Sequence, residues 1–512
     1  MVEEPDVAVK HVEIERKYDA SADFTVPELT GLPGVAAVGD PETHRLHATY
    51  FDTEDLRLAA YGITLRRRRG GPDAGWHLKM PAGPDSKDEL RAPLGRAQAV
   101  PARLATLVAA YTRGRPLRPV ATLETDRTVL RLLDASGGVL AEVADDAVTG
   151  RVLLTEGPAN GHAMGDRWRE IEVELDAGDR ALLKAAGKAL RKAGAHRAAS
   201  SSKLGRLLDG EIRRPTAKET LGGALAELDG GEPTAGQAVM AYVAAQVQAL
   251  LAFDPKARLA EYDAVHRMRV ATRRLRSVLQ SYRPVLDRER TDPLRDELKW
   301  LATELGEVRD LEVLRMRFTD RVAGLDDIGE PAWLEELATT ERSAYRRLNA
   351  TLKSERYYAL LDALEGLVAD PPLGAKAGRS AARELPRLVE RAWGRLAETY
   401  ASIETSEDPE TARHETRKDA KRARYAAEAA VAVLGDPAAR VVRNAKKLQE
   451  VLGDYQDGVI ASRHLKDAAA RSTDTADAFS LGVLYGIERC EAGAALSRLE
   501  GTWASIPAPS LR

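Results

Sequence analysis

Residues 11–18 read HVEIERKY, and the alternation inside them decides the fold of the first two hundred residues. In an extended strand Glu13, Glu15 and Lys17 leave one face, while Val12 and Ile14 leave the other. Working outward, the same period of two recurs at Arg45–Asp52, Ile63–Arg69, Trp76–Met80, Ala121–Leu133, Val139–Val143 and Trp168–Leu175, each bounded by Gly, Pro or Asp. Short alternating strands between turn signals predict an antiparallel sheet or barrel. A helix is expected at Asp179–Ala193, where Leu182, Leu183, Ala186 and Leu190 share a face. Glycines and Pro233 between 206 and 236 mark a linker with room for one helix.

After residue 237 the period changes to 3.6 and stays there, broken by the stretch DPPLGAKAG at 370–378. The two halves on either side of that break resemble each other. His266, Arg269, Arg273 and Arg276 recur as His414, Arg417, Lys421 and Arg424 with identical spacing. Downstream, Lys299-x-Leu301-x3-Leu305-Gly306-x3-Asp310 recurs as Lys446-x-Leu448-x3-Leu452-Gly453-x3-Asp457. An internal duplication predicts a helical bundle of two pseudo-symmetric halves. The expected fold class is therefore α+β and multidomain: an N-terminal antiparallel sheet or barrel with flanking helices over residues 8–207, a linker over 208–236, and an all-α domain over 237–506, with halves at about 237–370 and 380–506.

Composition narrows the function classes. A chain of 512 residues is too long for one hydrophobic core. One cysteine, Cys490, excludes a disulfide framework and any multi-cysteine metal site. No run of about 18 apolar residues predicts a membrane span, and the acidic start MVEEPDVAVK lacks the apolar stretch of a signal peptide. The expected location is the cytoplasm, in association with polyphosphate granules. A net charge of −3 argues against a polyanion ligand only if the charge is evenly spread, and it is not.

In the first region the charge alternates within strands. Arg66 and Arg68 share one face, His77 and Lys79 another, and Glu170, Glu172 and Glu174 form a second acidic row. A single charged face on a strand usually meets solvent. Several such strands with apolar reverse faces fit a barrel with a charged, hydrated interior, because like charges cannot pack dry. Acidic rows facing basic rows suit a metal-bound polyphosphate: carboxylates hold hard cations, and Arg and Lys bind phosphate oxygens.

Glu13-x-Glu15-x-Lys17 resembles the ExExK signature of the CYTH domains, the triphosphate tunnel metalloenzymes. The likeness continues through Thr49-Tyr50-Phe51-Asp52-Thr53, Leu65-Arg66-x-Arg68, Leu78-Lys79, Glu170-Ile-Glu172-Val-Glu174 and Ser202-Lys203-Leu204. One departure is Glu54 after Thr53, where many members carry proline, outside the proposed site. The resemblance implies an eight-stranded tunnel that acts on triphosphates with Mg²⁺ or Mn²⁺. It implies metal ligation by Glu13, Glu15, Asp145, Glu170 and Glu172, with Glu174 beside them. Arg66, Arg68, Lys79, Arg127 and Lys203 would grip phosphates, and Glu13, Glu15 and Lys17 form the catalytic signature. The implied chemistry is in-line attack of water on a terminal phosphorus, with a glutamate of the acidic rows as general base. Replacing Glu13 and Glu15 by Gln is expected to abolish turnover and leave the fold intact.

In the helical region His266, Arg269, Arg273 and Arg276 fall within an arc of about 80° at about 100° per residue. His414, Arg417, Lys421 and Arg424 repeat the stripe. A charge run is usually a solvated face, but a solvated face needs only charge, and here the spacing is preserved too. Two such stripes facing each other would make a channel for a long polyanion. The region resembles a CHAD domain, the histidine-bearing α-helical module often found behind CYTH. That resemblance implies binding of inorganic polyphosphate through the eight stripe residues, with phosphate hydrogen bonding as the role of the two histidines. The basic helices lack interleaved aromatics and any recognised nucleic-acid motif, which argues against nucleic acid.

Three readings follow. The first is a metal-dependent inorganic triphosphatase with a polyphosphate-binding domain. The second is a polyphosphate-targeting protein with little turnover. The third is an enzyme acting on a nucleotide or thiamine triphosphate, such as an adenylate cyclase. The low aromatic content, 5%, favours a ligand made of phosphate alone.

Overall fold

The computed structural model describes residues 9–95, 98–153, 166–212, 232–325 and 331–511. Most of the expected linker lies outside the described residues. The chain divides into two compact units, Met1–Arg214 and Pro215–Arg512.

The first unit is built on strands β1 (Val9–Ala20), β2 (Ala37–Val38), β3 (Glu42–Asp52), β4 (Thr64–Arg69), β5 (Gly75–Gly83), β6 (Ser86–Ala92), β7 (Arg118–Leu133), β8 (Val139–Val152), β9 (Asp166–Leu175) and β10 (His196–Arg197). Eight of them run β1-β6-β5-β4-β3-β7-β8-β9, and β9 pairs back onto β1, so the antiparallel barrel is closed. The short β2 pairs with β7, and β10 pairs with β1. Closure leaves the eight long strands without a free edge and forces side chains to alternate between interior and exterior.

Helices α1 (Arg57–Ala60), α2 (Ala102–Leu107), α3 (Ala109–Thr112), α4 (Arg180–Lys192) and α5 (Lys203–Leu207) flank the barrel. The expected helix is α4, capped by Asp179, whose carboxylate accepts from the Leu182 N–H at 2.9 Å. Its apolar face (Leu182, Leu183, Ala186, Leu190) packs on Tyr18, Val143, Ile171, Val173 and Leu175 outside the barrel. Burial of one such leucine stabilises by about 1.5–3 kcal/mol. Gly187 lies against the Tyr18 hydroxyl, leaving no room for a Cβ. The Asp52 carboxylate accepts from the N–H groups of Thr53, Leu58 and Ala59 at 2.7–2.8 Å, which closes the turn into α1 and gives Thr49–Thr53 a structural role.

The second unit is helical: α6 (Ala235–Arg258), α7 (Ala264–Ser281), α8 (Arg288–Ala323), α9 (Ala332–Thr351), α10 (Glu355–Ala369), α11 (Ala381–Ala401), α12 (Pro409–Leu434), α13 (Asp436–Ala469), α14 (Thr475–Ser497) and α15 (Leu499–Ala504). The duplication is visible in the helix series. α6 to α9 have 24, 18, 36 and 20 residues, and α11 to α14 have 21, 26, 34 and 23. The halves share a core: Phe318 and Trp333 of the first pack with Leu465, Leu481 and Leu484 of the second. The buried Tyr282 hydroxyl donates to the Ala426 carbonyl at 2.7 Å across the same boundary. By length and composition α6 is apolar enough to cross a membrane. Within this unit it is a core helix, with Val239, Val243, Ala244, Val247 and Leu250 fully covered by its neighbours.

Candidate functional site

The barrel interior is where charge collects. Register places Glu15 opposite Glu174 and Lys17 opposite Glu172 across β1 and β9. It also lines up Arg127, Asp146 and Glu170 across β7, β8 and β9. One cavity is lined by Glu13, Glu15, Lys17, Arg66, Arg68, Lys79, Arg127, Glu172, Glu174 and Lys203, among others. The structure therefore gathers the predicted acidic and basic rows into a single chamber.

Inside it, acids and bases hold each other. Arg127 grips Asp146 with two bonds of 2.7 and 2.6 Å and reaches Glu172 at 2.7 Å. The Lys203 ammonium lies 2.6 Å from Glu172, 2.7 Å from Glu170 and 2.8 Å from Asp146. Lys17 also donates to Glu172 and lies 3.0 Å from Glu15. Lys79 donates to Glu13 at 2.6 and 2.7 Å. Burial opposes ionisation of Glu172, but Lys17, Lys203 and Arg127 overcome it and hold its carboxyl well below the usual range. Glu174 lacks such partners. Burial first, then the charge of Glu13, pushes its pKa up to about 7. Arg68 is pulled down to about 8 by burial and by Arg66 and Arg127. Arg66 pairs with the Tyr50 hydroxyl and Arg68 with Asp73, while Arg66 Nε and Arg68 Nε, like Arg67 Nε between them, are buried donors with no hydrogen-bond partner among the described residues.

Asp146, Glu170 and Glu172 each offer an oxygen, all within 4.8 Å of one another. Three converging hard oxygen donors fit Mg²⁺ or Mn²⁺. The predicted ligand Asp145 is elsewhere. β8 does not stop near Val143 but runs on to Val152, and Asp145 shares the parity of Ala141 and Val143, on the face beneath α4. It pairs there with Arg169 at 2.9 and 2.7 Å. Asp146, one residue later, takes the interior position. Glu13 and Glu15 are interior as expected, but they sit against Lys79 and Lys87 rather than within the triad.

The sequence reading missed β6 altogether. Its alternation of Lys87, Glu89 and Arg91 is present, but the run SKDELRA reads as a polar turn because Asp88 occupies an outward position usually held by an apolar residue. Lys87 donates to Glu15 at 2.7 Å, and Glu89 lies 2.8 Å from His77 Nδ1. Burial lowers the His77 pKa to about 3, so His77 is neutral and does not act as a phosphate-binding cation.

The helical unit holds a second basic chamber. α7 buries Val265, Met268, Leu275 and Val278, which turns its basic stripe to the other side. α12 presents its own stripe to the same cavity, lined by His266, Arg269, Arg273, His414, Arg417 and Lys421, with Arg309, Arg317, Asp310 and Asp457. Six of the eight predicted stripe residues thus converge. Arg424 lies in an adjoining cavity, bonded to Glu428 at 2.9 Å. Arg276 sits beside Arg295 and Arg422 instead. Arg269 Nε, Arg273 Nε and Arg417 Nε are buried without a hydrogen-bond partner among the described residues. Burial and neighbouring cations lower the pKa of His266 to about 4, so it is a neutral hydrogen-bonding group at physiological pH. Burial, then Arg417, Arg273 and Arg269, lowers Lys421 to about 7.

A CYTH domain model matches residues 11–207 and a CHAD domain model matches residues 241–466. Two proteins of Mycobacterium tuberculosis, both described as uncharacterized, are 37% identical over 526 residues, covering 98% of this chain and 98% of theirs. The chain belongs to this CYTH–CHAD family, and its first unit to the metal-dependent enzymes that act on triphosphates. Among solved structures, the CHAD domain from the plant Ricinus communis is 25% identical with a TM-score of 0.45, covering 55% of this chain and 95% of that one. PptA from Streptomyces chartreusis is 22% identical at a TM-score of 0.45, covering 53% of this chain and 100% of that one. A putative adenylyl cyclase from Hippeastrum, described as having a dominant triphosphatase activity, is 15% identical at a TM-score of 0.24, covering 40% of this chain and 97% of that one.

Proposed function

We propose that residues 8–207 hydrolyse inorganic triphosphate with a divalent metal ion, and that residues 237–506 bind inorganic polyphosphate. The observation that carries the first part is the buried acidic triad set among Lys17, Arg127 and Lys203. Acids alone would suit a metal, and bases alone a phosphate. Both together suit a metal–phosphate complex.

In this reading Asp146, Glu170 and Glu172 hold Mg²⁺ or Mn²⁺, with Glu13 and Glu15 nearby. When bound, the ion neutralises phosphate oxygens and acidifies the attacking water. Arg66, Arg68, Lys79, Arg127 and Lys203, joined by Lys87, orient the chain of phosphates and stabilise charge developing on the leaving pyrophosphate. The Glu174 carboxylate accepts the proton of the attacking water, since its affinity for a proton near neutrality is that of a general base. Among the described residues lining the cavity, Tyr50 is the one aromatic side chain, and its hydroxyl is taken by Arg66 at 3.4 Å. That leaves little to stack on a nucleobase or a thiamine ring, which favours the inorganic substrate over a cyclase reaction.

Phosphate release from triphosphate, ATP and thiamine triphosphate, with Mg²⁺, Mn²⁺ or chelator, tests the assignment. Release from triphosphate alone is expected. A cyclic nucleotide product would replace it with the cyclase reading, and no metal-dependent release from any substrate would leave a targeting protein. For the helical unit, six cations and histidines from two repeats facing one chamber support polyphosphate binding, read out by titration at several salt concentrations.

A further inference from the structure

The repeated Leu-Gly-x3-Asp element has no role in the functions above, yet it recurs in both halves, one residue closer to the basic stripe in the second. Leu305 and Leu452 are core residues, 0% and 2% exposed. The glycine that follows each lies in mid-helix, where Gly costs roughly 0.5–1 kcal/mol relative to Ala. Such a cost at equivalent positions in two repeats calls for a local cause.

At Gly306 that cause is an arginine. The Arg269 guanidinium lies flat on Gly306: a Cβ there would meet Nη2 at 3.2 Å, Cζ at 3.5 Å and Nε at 3.6 Å. Asp310, one turn on and so on the same face, accepts from Arg269 Nη1 at 3.1 Å. The second repeat reproduces the arrangement more loosely. Gly453 would bring a Cβ to 3.8 Å from Arg417 Nη2, and Asp457 accepts from Arg417 at 3.5 Å. Asp310 takes Nη1 of Arg269 and leaves the Nε–Nη2 edge to the chamber, whereas Asp457 takes Nη2 of Arg417, on the same edge as Nε; both Nε atoms are without a partner among the described residues.

We propose that Gly306 and Asp310 are positioning residues that seat Arg269 so that the Nε edge of its guanidinium faces a phosphate of the bound chain, with Gly453 and Asp457 lacking the close seat. The glycine makes room and the aspartate fixes one end of the fork. The guanidinium is thereby pre-ordered for a directional contact before the polyanion arrives. This rests on the reading of the chamber as a polyphosphate site.

The test uses the full-length protein and a polyphosphate of defined length. Gly306→Ala keeps every charge and raises helix propensity, but its methyl must push the guanidinium aside. Expected are a higher melting temperature, affinity weaker by roughly threefold to tenfold, and a salt slope reduced by about 0.7 for one lost contact. Gly453→Ala, with ordinary van der Waals room, should raise stability with less than a twofold loss. Equal losses in the two variants, no loss in Gly306→Ala, or affinity and melting temperature falling together would each overturn the proposal. Arg269→Ala must itself weaken binding by at least as much as Gly306→Ala, and if it does not, the seat has nothing to position. Should the wild-type protein fail to bind polyphosphate, the reading of the chamber falls first. Binding lost in Arg273→Ala plus Lys421→Ala but untouched in Gly306→Ala sinks the seat alone.

Discussion

The tunnel and the helical chamber both gather buried cations, and they arrange them in different ways. In the tunnel Lys17, Lys79, Arg127 and Lys203 are already matched with Glu13, Asp146, Glu170 and Glu172 at about ion-pair distance. In the chamber Arg273 and Lys421, equivalent residues of the two repeats, have no carboxylate within ion-pair distance among the described residues, and their pKa values fall through burial and mutual repulsion. A closed barrel that buries bases must bury acids with them, because an uncompensated buried charge costs several kcal/mol. In the helical chamber Arg269 and Arg417 keep aspartate partners at 3.1 and 3.5 Å, while Arg273 and Lys421 are buried without one among the described residues. On the proposed reading the first arrangement would admit phosphate together with a metal ion, and the second would attract phosphate directly, with a strong dependence on salt.

The sharpest break of that contrast is Glu172→Gln. It removes the carboxylate shared by Lys17, Arg127 and Lys203, so it should destabilise the metal-free first unit by about 3–5 kcal/mol and reduce triphosphate turnover by on the order of 10²-fold or more. Thermal melting and phosphate release check both. By the same logic Glu13→Gln plus Glu15→Gln will not leave the fold untouched, since both glutamates are buried against Lys79 and Lys87. The matching change in the chamber, Arg273→Ala plus Lys421→Ala, should have the opposite signature. Removing two repelling cations leaves stability unchanged or raised, while the salt slope of polyphosphate binding falls by about 1.4, or about 0.7 per contact.

The pH dependence distinguishes the two regions less steeply. In the empty chamber Lys421 has a pKa of about 7, lowered by burial and by Arg417, Arg273 and Arg269, with Asp457 opposing. A bound polyanion favours its charged form, so above pH about 7 binding must take up a proton. Affinity then falls as pH rises, by up to about tenfold per unit. Titrations at pH 6.5, 7.5 and 8.5 should show that slope, and Lys421→Arg should flatten it. The smallest effect is expected from Asp145→Asn. Its half-exposed pair with Arg169 is worth at most about 1 kcal/mol, and metal-dependent turnover should not change, whereas Asp146→Asn should impair it strongly.

The fold was legible because both regions announce their period. Alternation at Glu13–Lys17 and Glu170–Glu174 marks strands that bury only one face, and the duplicated stripe marks two equivalent helices. β6 escaped because Asp88 breaks the apolar side of its pattern, and it took Lys87, Glu89 and Arg91 with it. Asp145 came from the family likeness alone, and only the pairing of β8 with β7 and β9, which carries the strand to Val152, shows that Asp146 holds the interior position. Local pattern does not report where a ladder of long-range hydrogen bonds ends.

Residue types and spacings alone showed the charge pattern that the proposed chemistry needs: acids and bases on alternating positions, and two matched basic helices. They do so because period follows from backbone geometry that each segment meets locally. Which acids share one centre, and which cations are matched and which are left free, are decided only by tertiary structure. Those properties depend on distances between strands and helices far apart in the chain, and a few ångströms separate a metal site from an ion pair on the outer face.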